Sequence, residues 1–228
     1  MAERDLTVFL TGATGYMGRR LAGELMRRGH RVAALVRKGS EGKAPAGCEV
    51  VVGDALDAAS YSRRIPAGSV FVHLVGTPHP SPAKAAEFRT VDLASIRAAV
   101  AAAEVARVKR LVYVSVAHPA PVMKAYIAVR TEGEALIRSA GLNATILRPW
   151  YVLGPGHRWP VALIPVYWVM ERIPGTRESA RRLGLVTLKQ MVRALADAVE
   201  HRGEGVRVME VAEIRSAGTG RSRTHHPS

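Results

Sequence analysis

Short apolar runs alternate with longer amphipathic stretches along most of the chain. The run from Ser69 to Leu74 has almost no polar alternation, which is typical of a parallel strand buried on both faces. Tyr16 to Arg28 carries its large apolar residues at helical spacing, and Gly29 ends this stretch. The same reasoning predicts seven strands, at Leu6–Leu10, Arg31–Val36, Glu49–Val52, Ser69–Leu74, Arg110–Ser115, Ala144–Leu147 and Gly205–Val211.

Helical patterns separate these strands, so the sequence predicts an α/β fold of the Rossmann type, a doubly wound parallel sheet of about seven strands flanked by helices. We expect residues 1–156 to form the core and residues 157–215 to form a small C-terminal segment on the substrate side that completes the same fold. Residues 216–228 contain no apolar period and are expected to be a disordered tail. The predicted helices are Tyr16–Arg28, Ala83–Ala106, Val122–Ser139 and Thr187–His201.

Composition narrows the classes of function. The 33 Lys and Arg residues against 19 Asp and Glu give a net charge of +14, but the charge is scattered and aromatic residues make up only 5%. We therefore expect no nucleic-acid partner. The single cysteine, Cys48, excludes a disulfide framework and favours a reducing compartment, for which we predict the cytoplasm. The apolar stretch from Pro160 to Met170 is too short to span a bilayer. The sequence shows no cluster of metal ligands, and we predict no metal.

The segment TGATGYMG lies between the first predicted strand and the first predicted helix. Its glycines, Gly12, Gly15 and Gly18, suit a tight turn, a close approach of backbone to a pyrophosphate, and close packing of helix on strand. The N-terminus of the helix then offers free N–H groups to the phosphates. This arrangement predicts a dinucleotide-binding loop.

The turn after the second strand should contact the adenosine ribose. An acidic residue there favours NAD, whereas an arginine accepts the 2′-phosphate of NADP. Arg37 follows that strand, and neither Asp nor Glu occupies the turn. The sequence therefore favours NADP(H), and NAD(H) remains possible.

Four further motifs accompany the glycine loop: VVGDALD at 51–57, HLVG at 73–76, VKRLVYVS at 108–115 and LRPWYVLGPG at 147–156. Together they resemble the short-chain dehydrogenase/reductase superfamily, in its extended and atypical (NmrA-like) branch, which also includes epimerases and dehydratases. The resemblance covers about residues 6–156. It implies that the cofactor is held by Gly12, Thr14, Gly15, Tyr16, Met17, Gly18, Arg37, Asp54, Ala55, Leu74, Val75, Gly76, Arg130 and Pro149.

The resemblance also implies catalytic roles. Ser115 would donate a hydrogen bond to a substrate carbonyl, and Tyr126 would donate or accept the proton. The residue four positions after the tyrosine, usually Lys in this superfamily, is Arg130. It keeps the positive charge beside the phenol but does not readily release a proton.

Two classes of function follow from these residues. The first is an NAD(P)-dependent oxidoreductase that transfers a hydride to or from a hydrophobic carbonyl, alcohol or quinone-like substrate. The second is a cofactor-binding protein without turnover, such as a redox sensor or an assembly or accessory protein. Nucleotide-sugar epimerisation or dehydration is a lesser alternative. Members of the superfamily with these activities usually have a larger C-terminal substrate domain than the segment 157–215 would form. The substrate and the oligomeric state are left open.

Overall fold

The computed structural model of the chain describes residues 5–120, 122–154 and 183–217. These ranges contain nine strands, five α-helices of six or more residues, a three-residue α-helical turn at Ala85–Glu87 and several short 3₁₀-helical turns. The strands are β1 (Thr7–Thr11), β2 (Arg31–Val36), β3 (Glu49–Val52), β4 (Val70–His73), β5 (Arg110–Val114), β6 (Ala144–Arg148), β7 (Tyr151–Leu153), β8 (Leu185–Thr187) and β9 (Val206–Glu210). The helices are α1 (Tyr16–Arg27), α2 (Ala94–Ala106), α3 (Lys124–Ser139), α4 (Leu188–Glu200) and α5 (Val211–Ser216).

Seven strands form one parallel sheet in the order β3-β2-β1-β4-β5-β6-β9. The order reverses between β1 and β4, which are neighbours although about 60 residues separate them in the chain; Thr11 is paired with His73. Ligands of open α/β sheets bind at such a point, in the crevice outside the carboxyl ends of the strands. The predicted Rossmann-type fold is confirmed.

The core has two parts, one on each face of the sheet, because successive residues of a strand point to opposite sides. Val8 and Leu10 belong to the cluster that also contains buried residues of α1 and α4. Phe9 belongs to the opposite cluster, which contains buried residues of α2 and α3. Its ring stacks on Tyr61 at 5.8 Å and meets Phe71 edge-on at 5.2 Å. The central strands are therefore held rigidly between two helical layers.

The structure departs from the sequence prediction in three elements. The long helix predicted over Ala83–Ala106 contains a π-helical stretch, Phe88–Leu93, before α2. Strands β7 and β8 form a separate parallel pair that the pattern did not predict, because three residues are too few to show alternation. The short helix α5 follows β9 directly. The apolar stretch from Pro160 to Met170 and most of the predicted tail, residues 216–228, lie outside the described residues.

None of the helices in the described ranges is both long and apolar enough to cross a membrane.

Candidate functional site

Two glycines shape the turn between β1 and α1. Gly12 has a φ of +74°, and a Cβ atom there would lie 2.9 Å from the carbonyl carbon of Leu74. A Cβ atom on Gly18 would lie only 2.2 Å from the carbonyl oxygen of Gly12. Any side chain at either position would push the turn away from its neighbours. The turn therefore lies tight against both the segment after β4 and the first turn of α1.

The N-terminus of α1 is open for an anion. Its N-cap is Gly15, which makes no side-chain capping bond, and the first turn contains no acidic residue. The first amides of a helix lack partners inside the helix and carry partial positive charge. Phosphate groups commonly bind at helix starts of this kind.

A cavity of about 600 Å³ opens beside this turn. Its size lies in the range usual for sites that take cofactors and small molecules. Nine of the residues that the sequence assigned to the cofactor or to catalysis line it: Gly12, Gly15, Tyr16, Met17, Gly18, Leu74, Gly76, Tyr126 and Arg130. The remaining lining comes from residues 77–81, 114 and 150–152. The structure thus brings the glycine loop and the Tyr126–Arg130 segment to one cavity.

Tyr126 lies half-buried in the first turn of α3. Its ring packs against Phe88, with 5.0 Å between the ring centroids. The guanidinium carbon of Arg130 lies 5.1 Å from the centre of the same ring, within the range of a cation–π contact. The two residues therefore form a pair on one face of the helix.

The charge of Arg130 is already paired. Its Nη2 atom donates to Oδ1 of Asp92 at 2.5 Å, and its Nη1 atom donates to the carbonyl oxygen of Val114 at 2.9 Å. Arg130 is 6% exposed and Asp92 is 1% exposed, so this ion pair is buried. Burial alone would lower the pKa of Arg130, but the acidic groups of Tyr126, Tyr113 and Asp92 raise it above its ordinary value. Arg130 is therefore a permanent cation.

Ser115 makes a different contact from the predicted one. Its hydroxyl donates to Oε1 of Glu134 at 2.6 Å, and Glu134 also accepts two bonds from Arg148, at 2.9 and 2.5 Å. Burial opposes ionisation of Glu134, but the bonds from Arg148 and Ser115 outweigh it and lower the pKa of the carboxyl. Among the described residues that line the cavity, Ser115 does not occur. Its contact with a substrate carbonyl stays a prediction.

The residues predicted at the adenosine end lie along the same edge of the sheet. Arg37 and Asp54 follow β2 and β3 and are exposed, and the amide of Gly53 donates to the carbonyl oxygen of Val36 at 2.9 Å. Oδ1 of Asp54 accepts the amide of Leu56 at 3.0 Å. Six of the residues predicted to hold the cofactor are absent from the described lining of the cavity: Thr14, Arg37, Asp54, Ala55, Val75 and Pro149.

Pro149 is buried beside the cavity, where its carbonyl oxygen accepts the amide of Ala117 at 3.0 Å. It too is absent from the described lining.

Within the ranges that the structure describes, no three His, Cys, Asp or Glu side chains are grouped so as to hold a metal ion. Asp92 and Glu134 were not predicted from the sequence, because single acidic residues in helices give no pattern that links them to a distant site.

A parallel sheet with a glycine turn and an uncapped helix at its switch point defines a dinucleotide-binding Rossmann protein. Residues 12–158 match the family described as NAD(P)H-binding. The chain belongs to this family, and its resemblance to the atypical short-chain dehydrogenases/reductases is confirmed.

Two curated relatives are named reductases. A ceramide reductase from Caulobacter vibrioides is 34% identical over 152 residues, which cover 65% of this chain and 47% of the relative. A 3-diazoavenalumate denitrifying reductase from a Streptomyces species is 33% identical over 180 residues, which cover 66% of this chain and 58% of the relative. The chain thus spans about half the length of the curated relatives it matches.

Solved structures share the fold at low sequence identity. An enzyme from Bordetella bronchiseptica in complex with NAD+ superimposes with a TM-score of 0.65 at 20% identity, over 90% of this chain and 75% of that one. A UDP-galactose 4-epimerase superimposes with a TM-score of 0.67 at 18% identity, over 90% and 76% of the two chains. At these identities the likeness shows the fold alone.

Proposed function

We propose that the protein is an NADP(H)-dependent oxidoreductase that transfers a hydride between the nicotinamide and a hydrophobic carbonyl, alcohol or quinone-like compound. The observation that carries this proposal is the placement of Tyr126 and Arg130 on the wall of the cavity that the glycine loop also lines. The names of the two curated reductases support the reaction class.

In this proposal NADPH supplies the hydride, and the protein supplies the proton. Tyr126 donates its phenolic proton to the substrate oxygen as the carbonyl carbon accepts the hydride, so a carbonyl becomes an alcohol and the phenol becomes a phenolate. Arg130, fixed over the phenol ring, stabilises that negative charge. Solvent then returns a proton to Tyr126.

The lining of the cavity supports an apolar substrate. Met17, Val114, Trp150 and Val152 contribute apolar surface beside Tyr126. Binding of an apolar group there removes hydrocarbon surface from water, which favours association by roughly 25 cal/mol per Å² before the costs of binding.

The catalytic role of Tyr126 is tested with Tyr126→Phe, which keeps the ring and removes the proton donor. We expect NADPH-dependent turnover of ketones, aldehydes or quinones to fall on the order of 100-fold or more, since a general acid contributes that much or more. NADPH affinity should change less than about threefold. Tyr61→Phe is the matched control, because Tyr61 is buried against Phe9, away from the cavity. Unchanged turnover in Tyr126→Phe would refute the role.

The preference for NADP(H) is tested with Arg37→Ala. Loss of a guanidinium that contacts the 2′-phosphate should weaken NADPH binding about tenfold or more and leave NADH binding nearly unchanged. Arg31→Ala is the control, since Arg31 is an exposed arginine at the opposite end of the same strand. Dissociation constants from fluorescence titration measure both effects. An unchanged ratio of the two affinities would contradict the assignment.

A second candidate is a protein that binds the cofactor without turning it over. Two contacts favour it: Arg130 is neutralised by Asp92, and the hydroxyl of Ser115 is engaged with Glu134. Tight NADPH binding together with no turnover of any compound in the same panel would support this function over the first.

A further inference from the structure

Asp92 lies at the meeting point of three parts of the site. It belongs to the π-helical stretch Phe88–Leu93, whose wider turn precedes α2. Its Oδ2 atom accepts the amide of Thr77 at 3.0 Å and the hydroxyl of Thr77 at 2.6 Å. Its Oδ1 atom accepts Nη2 of Arg130. Both carboxylate oxygens are thus engaged, and Thr77 itself lines the cavity.

Arg130 is restrained on several sides by these contacts. Asp92 holds one end of the guanidinium, and the carbonyl oxygen of Val114 at the end of β5 holds the other. A Cβ atom on Gly76 would lie only 2.3 Å from Nη2, so the absence of a side chain there makes room for the guanidinium. The rings of Tyr113 and Tyr126 lie 5.7 and 5.1 Å from its central carbon. A planar group with this many contacts has one orientation.

A second ion pair of different character joins α2, which follows the π-helical stretch, to α3. Arg97 of α2 and Glu132 of α3 meet at 2.5 Å, but their side chains are 56% and 38% exposed. Exposed pairs are screened by water and contribute little. Asp92 and Arg130 have side chains only 0% and 7% exposed, and a buried charge needs its partner. The buried pair lies at the cavity, whereas the exposed pair joins the helices away from it.

We propose that Asp92 is a positioning residue that orients Arg130 toward the cofactor and Tyr126. Its carboxylate neutralises the guanidinium of Arg130 and fixes the plane of that group. The ammonium of the lysine that is usual at this position is not planar and would not need to be oriented in this way. The proposal rests on the proposed function, since Arg130 matters to the cofactor only if the cavity binds one. It predicts that substitution of Asp92 acts on cofactor binding only while Arg130 is present.

The experiment measures NADPH dissociation constants in Asp92→Asn, Arg130→Gln, the double variant and Glu132→Gln. Asp92→Asn keeps an acceptor for Thr77 and removes the charge. We expect it to weaken NADPH binding at least fivefold, because the released guanidinium turns to other acceptors. Glu132→Gln should stay within twofold of the wild type. The double variant should bind NADPH within twofold of Arg130→Gln, since residues that act through one group are not additive.

Three results would overturn the proposal. Unchanged affinity in folded Asp92→Asn shows that the carboxylate does not orient Arg130 for the cofactor. Tighter binding shows that Asp92 acts only as a countercharge to an anionic ligand. A double variant that binds more than twofold more weakly than Arg130→Gln shows that Asp92 acts without Arg130. If Asp92→Asn alone does not fold, the last comparison still decides, because the double variant leaves no unpaired buried charge.

These measurements also separate the inference from the proposed function. They use binding alone, so they remain decisive if the protein shows no turnover. If wild-type protein does not bind NADPH, the proposed function fails first, and melting curves of the same four variants would then show whether the pair serves only stability.

Discussion

His73, the last residue of β4, is a buried imidazole that is held as a neutral group. Its Nδ1 atom shares a hydrogen bond with the hydroxyl of Thr11 at 3.0 Å, and Nε2 shares one with Ser95 at 3.2 Å. Burial, together with the nearby positive charge of Arg130, lowers the pKa of His73 to about 3. The neutral imidazole of His73 therefore connects β4 to β1 through Thr11 and to α2 through Ser95.

This shift makes stability depend on pH. Between about pH 6.5 and pH 3 the unfolded chain binds a proton at His73 that the folded chain does not, so the free energy of unfolding falls as pH falls. From pH 7 to pH 5 this amounts to about 2 kcal/mol. Urea unfolding of His73→Gln should lack this part of the pH dependence. His79→Gln, at an exposed position, should retain it; equal slopes in both variants would contradict the expectation.

At the same scale, the sequence indicates some site residues and not others. Tyr126 and Arg130 are detectable because helical spacing and neighbouring motifs relate them within a few positions. Asp92 lies 38 positions before Arg130, and Glu134 lies 19 positions after Ser115. Only the packing of the π-helical stretch, α3 and β5 brings these groups together, so no local pattern predicts the ion pair or the partner of Ser115.

At the scale of elements, α1 combines two glycines with opposite surroundings. Gly18 packs against the turn at the helix start, whereas a Cβ atom on Gly23 would meet no atom within 4 Å. Gly18 is required because the backbone of the turn approaches it too closely for a side chain. Packing gives no reason for a glycine at position 23. The start of the helix therefore serves the site, and its middle tolerates change.

Paired alanine substitutions test this difference. Gly18→Ala forces the turn to move and should lower the free energy of unfolding by about 1–3 kcal/mol, as overpacking does. It should also weaken NADPH binding at least about tenfold, because in the proposed function the turn holds the phosphates of the cofactor. Gly23→Ala should raise stability by about 0.5–1 kcal/mol through helix propensity. Chemical unfolding and NADPH titration measure both; similar behaviour of the two variants would argue against the packing explanation.

The elements themselves follow largely from local periodicity. Buried parallel strands are continuous apolar runs, and helices show the 3.6-residue repeat, so the seven strands of the large sheet could be predicted. The π-helical stretch at Phe88–Leu93 could not, because one wider turn hardly disturbs the apolar repeat. The β7–β8 pair depends on partners more than 30 residues apart and has too few residues to show a pattern.

At the scale of the whole molecule, Arg28 connects α1 to α4, two helices that lie about 170 residues apart in the chain. Its Nε atom donates to Glu24 at 2.8 Å, and its Nη1 atom donates to Asp197 at 2.8 Å and to Glu200 at 3.2 Å. The side chain is 18% exposed. These bonds join the end of α1 to α4, and both helices contribute buried residues to the same core cluster.

Loss of this link should affect global stability. Arg28→Gln removes charge-assisted hydrogen bonds to three carboxylates and should reduce the free energy of unfolding by about 2 kcal/mol. Arg27→Gln is the control one residue earlier, because the Arg27 side chain is 71% exposed and water screens its ion pair with Glu24, so its loss should have little effect. Thermal unfolding at low and high salt should show the larger effect only for Arg28. Equal losses would exclude a specific role of the α1–α4 link.

The strand order has a consequence for synthesis. Because β1 is central and β2 and β3 extend one side of it, a growing chain can assemble the glycine turn early. The opposite wall of the cavity, with Tyr126, Arg130 and residues 150–152, leaves the ribosome much later. A nucleotide that stabilises only the complete site can therefore act on the nascent protein only after residues 150–152 have been made.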